Sequence, residues 1–272
     1  MYEEPYRWVE AVGNRRQYLD EQFKQGSPVV GLAYADGILL LTVSRGTPKL
    51  YEIYDRIALG GMGHPADLEK LRFSLLELAH TEGFNRSPSD VTGSRLVKYG
   101  LAPAIKQAFE EVYKAPFIVK ILLAELGAKP GKDAFLTINY DGTFEETAGF
   151  AAIAATPDVQ AHMAEYVKKV SGSVSASLDQ ALDIAMRAWA VGSLAQRAFD
   201  EDAERDVPEA KNVAGAQELD PVALQAHLRE TMAAKTIECA VLDRQIPGSS
   251  KYRALKPDEL AGLLPKSLKQ PA

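Results

Sequence analysis

Apolar residues near the start of the chain recur at helical spacing. Trp8, Val12, Leu19 and Phe23 are separated by steps of four, seven and four, which places them on one face of a helix. Gly26 follows the last of them and is a typical helix terminator. The pattern predicts a helix within the first 26 residues, packed either on its own domain or on a neighbouring subunit.

Short apolar runs then replace the helical pattern. Asp36-Gly37 between the first two runs favours a hairpin. The four predicted strands are Val29–Tyr34, Ile38–Val43, Lys49–Tyr54 and Arg56–Gly61. Leucines at helical spacing predict a helix over Ala66–Glu82. Ser87-Pro88-Ser89-Asp90 reads as a capping box and predicts a second helix to about Lys114, which Pro103 should kink or shorten.

A second block of strands and helices follows. The predicted strands are Pro116–Leu126, Ala134–Tyr140, Phe144–Ala154 and Thr236–Leu242, and the predicted helices run from Thr156 to about Val170, from Leu178 to about Ala198, over Val222–Ala234 and over Pro257–Leu264. Blocks of strands separated by pairs of helices predict an α+β fold, in which two antiparallel sheets lie face to face with helices on both outer faces. A parallel sheet would require strands and helices to alternate.

Composition narrows the possible functions. The chain has 272 residues, is 46% hydrophobic and carries a net charge of −6, which argues against a general nucleic-acid or anionic-membrane binder. Its single cysteine, Cys239, cannot form an internal disulfide or a cysteine-built metal site. No apolar run is long enough to cross a bilayer, and the acidic N-terminus does not resemble a signal peptide. We expect a cytoplasmic protein without a cofactor.

Signatures of common enzymes do not occur in the sequence. It contains no metalloprotease helix motif, P-loop or nucleophile elbow, and its four histidines are scattered. Gly61-Met62-Gly63-His64-Pro65-Ala66 matches a dinucleotide fingerprint. A second helix, rather than a parallel strand, is predicted after the first one, so these glycines are better explained by a turn where backbone passes close to backbone.

Several segments resemble one known family in their order and spacing. They are Ser27–Leu40, the run Lys49-Leu-Tyr-Glu-Ile-Tyr-Asp55-Arg56-Ile57, Gly60-Gly61-Met62-Gly63, and Ala66–Thr92 with Asp90-Val91-Thr92-Gly93. Over about residues 5–198 and 235–256 the chain resembles 20S proteasome subunits, most of all the α-type subunit of actinobacterial-style bacterial proteasomes. The resemblance implies a four-layer αββα sandwich and a heptameric ring that caps a ring of catalytic β-type subunits.

The resemblance also bears on catalysis. Proteolytic β-type subunits use a liberated N-terminal threonine, whose α-amine acts as the base. Ser27, followed by a proline, occupies that position here, and Val43 replaces the aspartate of active members. We therefore interpret the chain as non-catalytic. The alternative is an N-terminal-nucleophile hydrolase activated by cleavage before Ser27.

Gate and docking residues follow from the same resemblance. In α-type subunits the residues ahead of the first helix obstruct the axial pore, and here they are Met1, Tyr2, Glu3 and Glu4. A frayed terminus without a role is the alternative. Lys49 falls at the lysine that holds the C-terminal carboxylate of a ring-shaped ATPase or another activator, a charge-assisted contact. The alternative is a strand-end lysine in solvent.

The sequence is divided into four parts on these grounds. They are a gate segment and ring-packing helix (1–26), the proteasome-like core (27–199), an acidic insertion with a short helix (200–234), and the last core strands, helix and tail (235–272). The acidic stretch Asp200–Pro221 has no apolar period and is interpreted as a solvated loop. It makes this connection longer than is usual in bacterial relatives, and its role stays open.

Overall fold

The computed structural model describes residues 5–111, 113–171, 176–204 and 221–264. The strands are β1 (Val29–Tyr34), β2 (Gly37–Ser44), β3 (Leu50–Tyr54), β4 (Ile57–Gly63), β5 (Val119–Glu125), β6 (Ala134–Ile138), β7 (Phe144–Thr147), β8 (Phe150–Ile153), β9 (Thr236–Asp243) and β10 (Tyr252–Ala254). The helices are α1 (Pro5–Phe23), α2 (Pro65–Asn85), α3 (Gly93–Leu96), α4 (Ala102–Glu110), α5 (Pro157–Val170), α6 (Leu178–Glu204), α7 (Pro221–Ala234) and α8 (Pro257–Leu263).

Two five-stranded antiparallel sheets form the centre of the molecule. The first sheet has the order β10-β9-β2-β1-β8, and the second has the order β3-β4-β5-β6-β7. Hairpins join β1 to β2 and β3 to β4, and the long β2–β9 pairing runs from Gly37 opposite Asp243 to Ser44 opposite Thr236. This pairing ties the last part of the chain into the first sheet.

Three apolar layers separate the sheets and helices. One lies between the first sheet and α5, α6, α7 and α8, and includes Trp189. A second lies between the two sheets and includes Leu19 and Phe23 of α1. The third lies between the second sheet and helices α2, α3 and α4. The predicted αββα sandwich with an additional N-terminal helix is therefore confirmed.

The helix after α2 differs from the prediction at its start. Pro88–Asp90 forms only a single 3₁₀ turn, and the helix begins at Gly93, where the Thr92 hydroxyl accepts a hydrogen bond from the Arg95 amide (3.3 Å). Between α3 and α4 lies a π-helical segment, Val97–Leu101. In a regular α-helix the ring of Pro103 would meet the carbonyl four residues earlier. The wider π turn avoids that clash, so the helix continues past the proline to Glu110.

Two further elements depart from the predicted bounds. The predicted single strand Phe144–Ala154 is divided by Gly149, whose φ of 79° turns the chain from β7 in the second sheet to β8 in the first. Helix α6 was predicted to end near Ala198 but continues to Glu204, into the acidic stretch. Alanine and glutamate favour helix, and this preference extends the element where apolar periodicity has ended.

Candidate functional site

The C-terminal half of α1 closes one end of the space between the sheets. Leu19 and Phe23 are fully buried in the apolar layer that the sheets share. The ring of Phe23 stacks on Tyr140, with 5.8 Å between the centroids, and the Tyr140 hydroxyl donates a 2.9 Å hydrogen bond to Asp20. The helix is thus part of the core at this end, rather than an appendage to it.

A buried lysine lies directly beneath this end of α1. Lys120 of β5 is only 5% exposed, and its ammonium donates hydrogen bonds to the carbonyls of Ala154 (3.0 Å) and Ala155 (2.7 Å). The same nitrogen lies 5.0 Å from the centroid of the Phe23 ring. Burial lowers the pKa of Lys120 to about 8, against an opposing effect of Asp20. The charge therefore holds the end of β8 and the end of α1 together.

Arg15 fixes the middle of α1 to another part of the domain. Its guanidinium donates to four carbonyls at the end of α4 and in the following loop, those of Ala108 (2.9 Å), Phe109 (2.8 Å), Glu111 (3.2 Å) and Lys114 (2.6 Å). The last carbonyls of a helix have no partner within the helix and carry partial negative charge. A planar cation with several donors suits that position well.

The N-terminal half of α1 makes few contacts with the rest of the described chain. Trp8 is 49% exposed and Val9 is 69% exposed, and the residues beside them are exposed as well. A tryptophan and a valine on a solvent-facing helix are typical of a surface that a partner covers. The predicted gate residues Met1, Tyr2, Glu3 and Glu4 lie outside the described residues.

Ser27 and Val43 lie at the same end of the sandwich. The indole N–H of Trp189 donates a 3.0 Å hydrogen bond to the Ser27 hydroxyl. Val43 is 3% exposed and packs in the apolar layer on the helix side of the first sheet. The Thr42 hydroxyl donates to the Pro28 carbonyl (2.8 Å). These contacts hold the start of β1, and Val43 supplies no carboxylate that could assist a nucleophile.

Lys49 lies at the start of β3, where the two sheets approach each other. Its backbone N–H donates to the Glu238 carboxylate (2.8 Å), and its carbonyl accepts from the Gly61 N–H (2.9 Å). The side chain is half-buried. Burial lowers the pKa of Lys49, Glu238 opposes that effect, and Lys235 and Arg45 add to it. The backbone of Lys49 is therefore fixed between β9 and β4.

The glycines of the apparent dinucleotide fingerprint have packing roles. A Cβ on Gly63, whose φ is 130°, would lie 2.0 Å from the Ile118 carbonyl oxygen. A Cβ on Gly61 would lie 2.3 Å from Leu68. The strand that carries them, β4, is antiparallel to both of its neighbours. The expected close passage of backbone past backbone is therefore found at Gly63. The parallel β-α-β unit that a dinucleotide-binding fold requires is not formed at this strand.

Metal-binding groups and membrane-spanning helices can be considered for the described residues. In those ranges, no group of three or more histidine, cysteine or acidic side chains could hold a metal ion. None of the helices described combines the length and the apolar character that crossing a membrane requires. Cys239 is buried in β9, and burial raises the pKa of its thiol.

Comparison with known proteins identifies the family. A family model described as "Proteasome subunit" matches residues 23–213, well over half of the chain. The chain belongs to the proteasome subunit family. A protein named proteasome subunit alpha from Actinosynnema mirum is 30% identical over 253 residues, which is 92% of this chain and 83% of that relative. This finding confirms the resemblance to actinobacterial α-type subunits, which are the non-catalytic type.

Other relatives carry the same name. The proteasome subunit alpha of a Nocardioides strain is 28% identical over 257 residues, or 92% of this chain and 84% of the relative. That of Kineococcus radiotolerans is 32% identical over 150 residues, or 53% of this chain and 61% of the relative. The similarity therefore extends over nearly the whole chain in some relatives and is concentrated in about half of it in others.

Sequence reasoning proposed Lys49 from the family resemblance, which stays a prediction, and missed three residues whose contacts shape this end of the molecule. They are Arg15, Lys120 and Glu238. Lys120 carried a usable signal, because a lone lysine interrupts a strand that is otherwise apolar on both faces. Arg15 and Glu238 carried none, since charged residues on a helix face and at a strand end are ordinarily solvated.

Proposed function

We propose that this chain forms the heptameric outer α ring of a 20S proteasome core particle in the cytoplasm. A ring of β-type partner subunits supplies the threonine protease, and the α ring controls substrate entry for ATP-dependent protein degradation. The observation that carries this proposal is that the two halves of α1 differ in burial. Its C-terminal half is buried between the sheets through Leu19 and Phe23, while its N-terminal half presents Trp8 and Val9 to solvent.

The exposed half of α1 supports assembly with further copies of the chain. Fully burying an exposed valine side chain contributes about 1.5–3 kcal/mol, and covering the exposed half of Trp8 adds to the same driving force. A ring formed by rotation requires each subunit to offer two different surfaces, and a projecting helix can supply one of them. The buried half, pinned by Arg15 and Lys120, gives that helix a defined direction.

The structure offers little support for the alternative, a hydrolase activated by cleavage before Ser27. Such cleavage would remove α1, and with it Leu19 and Phe23 from the inter-sheet core. Val43 supplies no charge beside Ser27, and the Ser27 hydroxyl is engaged by Trp189. The packing of α1 and the names of the relatives both favour the non-catalytic assignment.

Activator docking is proposed at Lys49, and gating is proposed for Met1, Tyr2, Glu3 and Glu4. The Lys49 ammonium has no ion pair or hydrogen bond among the residues that the structure describes, although the residue's backbone is fixed on both sides. A half-buried ammonium without a partner gains more from an incoming carboxylate than a fully solvated one does. The partner is a ring-shaped ATPase or another activator that ends in a free carboxylate.

Co-expression with a β-type subunit from a related actinobacterium tests assembly. We expect a particle whose peptidase activity depends on the β-type threonine and survives Ser27→Ala in this chain. Trp8→Ala should reduce ring formation, whereas Phe84→Ala, at a residue 91% exposed on α2, serves as a matched control. Loss of activity in Ser27→Ala with assembly intact would favour the hydrolase instead.

Docking is tested separately with Lys49→Ala. We expect this variant to assemble normally but to lose binding and stimulation by a ring-shaped ATPase. Lys98→Ala, at an exposed lysine on the helical layer that covers the second sheet, is the control. A Lys49→Ala particle that is still bound and stimulated would contradict the docking proposal and leave the assembly proposal standing.

A further inference from the structure

Cationic side chains from separate parts of the chain come together beside Lys49. Ser44, the last residue of β2, pairs with Thr236, the first residue of β9. Arg45 follows the first of these and Lys235 precedes the second, so the two cations lie opposite each other at the same end of this antiparallel pair. Arg45 is exposed and Lys235 is half-buried.

Lys49 and Arg197 complete this group. The carboxylate of Glu238, the third residue of β9, accepts a hydrogen bond from the Lys49 amide. This bond holds the β2–β3 loop against the end of the first sheet. Arg197 lies exposed on α6, and the pKa of Lys235 is lowered chiefly by burial and further by the nearby charges of Arg45 and Arg197. We call Arg45, Lys49, Arg197 and Lys235 the basic cluster.

Within the part of the chain that the structure describes, few carboxylates face the basic cluster. The carboxylates that face it are Glu238, which is held by the Lys49 backbone, and Glu230 on α7. Among the described residues, two carboxylates therefore oppose four cations, although the net charge of the chain is −6. No member of the cluster forms an ion pair with another described residue within 4.0 Å. Unpaired cations concentrated at one point favour an anionic partner.

We infer that the basic cluster extends the Lys49 site into a surface that selects partners whose C-terminal segment carries acidic side chains as well as the terminal carboxylate. The inference rests on the proposed docking function of Lys49. The terminal carboxylate binds the half-buried Lys49 ammonium. The additional acidic side chains lie against Arg45, which is exposed, and Lys235, which lies opposite Arg45 at the end of the β2–β9 pair.

The expected preference is moderate and depends on salt. Ion pairs at a solvent-exposed rim change affinity by up to about fivefold each, so two of them raise affinity by about 25-fold at most and ordinarily by less. Such pairs are screened as ionic strength rises, because the Debye length falls to about 8 Å near physiological salt. The contact between Lys49 and the terminal carboxylate, being partly buried, is screened less.

Three fluorescein-labelled octapeptides test the inference by anisotropy on the full-length chain. The first has a free C-terminus and two glutamates within its last four residues, the second replaces those glutamates by glutamine, and the third is the acidic peptide with an amidated C-terminus. The variants are Lys49→Ala, Arg45→Gln combined with Lys235→Gln, and a control that combines Lys70→Gln with Lys98→Gln on the opposite helical layer.

We expect the acidic peptide to bind the wild-type chain about fivefold to tenfold more tightly than the glutamine peptide at low salt, with the difference shrinking as salt rises. The double variant of Arg45 and Lys235 should abolish this difference and leave binding of the glutamine peptide unchanged. Lys49→Ala should weaken the acidic free-carboxylate peptide to the level that the amidated peptide shows on the wild type, and should weaken the glutamine peptide further. The control should behave as wild type.

Different failures point to different claims. An acidic preference that persists in the Arg45 and Lys235 variant would overturn this inference and leave docking at Lys49 intact. Equal binding of the amidated and free-carboxylate peptides would overturn docking itself, as would undetectable binding of all three. If a single-stranded oligonucleotide bound at the cluster while the two free-carboxylate peptides bound equally, the surface would be assigned to a polyanion rather than to a peptide terminus.

Discussion

The buried ammonium of Lys120 should make the stability of the folded chain rise with pH over a defined range. The pKa of Lys120 is lowered from its ordinary value of 10.5 to about 8, chiefly by burial. Between those values the unfolded chain holds the proton and the folded chain releases it. Because the unfolded state then binds more protons, the free energy of unfolding increases as pH rises from about 8 to about 10.5.

The size of the effect follows from the shift. Two and a half pKa units correspond to about 3 kcal/mol in total, and about 2 kcal/mol of this is recovered between about pH 7.5 and about pH 9.5. Lys120 is 5% exposed, so solvent screening removes little of it. The raised pKa of the buried Cys239 acts in the opposite direction, because an unfolded thiol ionises first as pH rises. A comparison between variants removes that contribution.

Urea unfolding of the wild type and of Lys120→Met, at one protein concentration and followed by tryptophan fluorescence, measures the difference. Methionine retains the aliphatic length but cannot titrate. We expect the free energy of unfolding of the wild type to rise by about 2 kcal/mol relative to that of the variant between about pH 7.5 and about pH 9.5. A difference in the free energy of unfolding between wild type and variant that stays constant with pH to within about 0.5 kcal/mol would refute the reasoning. Lys120 would then have the same pKa in the folded and the unfolded state.

Three further changes give distinct outcomes. Arg15→Ala should cost about 1.5–3 kcal/mol of stability and make the α1 segment sensitive to proteolysis, with Arg15→Lys intermediate, since lysine cannot reach all four carbonyls; equal protease resistance in all three chains would contradict the role of Arg15. Gly13→Ala should stabilise α1 by about 0.5–1 kcal/mol, because nothing lies within 4 Å of the new Cβ, and a lower melting temperature would contradict this. Gly37→Ala should destabilise the chain, since its Cβ would meet the Leu242 carbonyl at 1.9 Å; unchanged thermal unfolding would show that β9 can move away.

Most of the sandwich could be predicted because its signals are local. Each hairpin strand of the first block carries its own apolar run, and Asp36-Gly37 marks the turn between β1 and β2. The order of strand blocks and helix pairs then leaves few possible arrangements. The strand β10 was expected only as one of the last core strands, without bounds, because three residues are too few to show a period.

The departures arise where one residue changes the course of the chain. Gly149 divides a continuous apolar run between two sheets, and sequence periodicity cannot show which sheet a strand joins. Pro103 is accommodated by the π turn rather than ending the helix, and such a turn has no sequence signature of its own.

The candidate site was less accessible to sequence reasoning because its contacts are long-range. Lys49 and Glu238 are 189 residues apart in the chain, and Arg15 and the Phe109 carbonyl are 94 residues apart. Lys49 itself was found through the resemblance to proteasome α-type subunits, rather than through any local pattern. The charged neighbours that distinguish it from an ordinary surface lysine become apparent only once β2, β3 and β9 are placed together.

Native mass spectrometry of the purified full-length chain, with collisional release of single subunits, tests the central claim most directly. The account predicts a sevenfold or double-sevenfold particle from which uncleaved chains are released, since α1 must remain attached to complete the core and the ring contact. Subunits shortened by the 26 residues before Ser27 would contradict it and favour the N-terminal-nucleophile hydrolase. A closed ring of another stoichiometry would contradict the heptameric assembly.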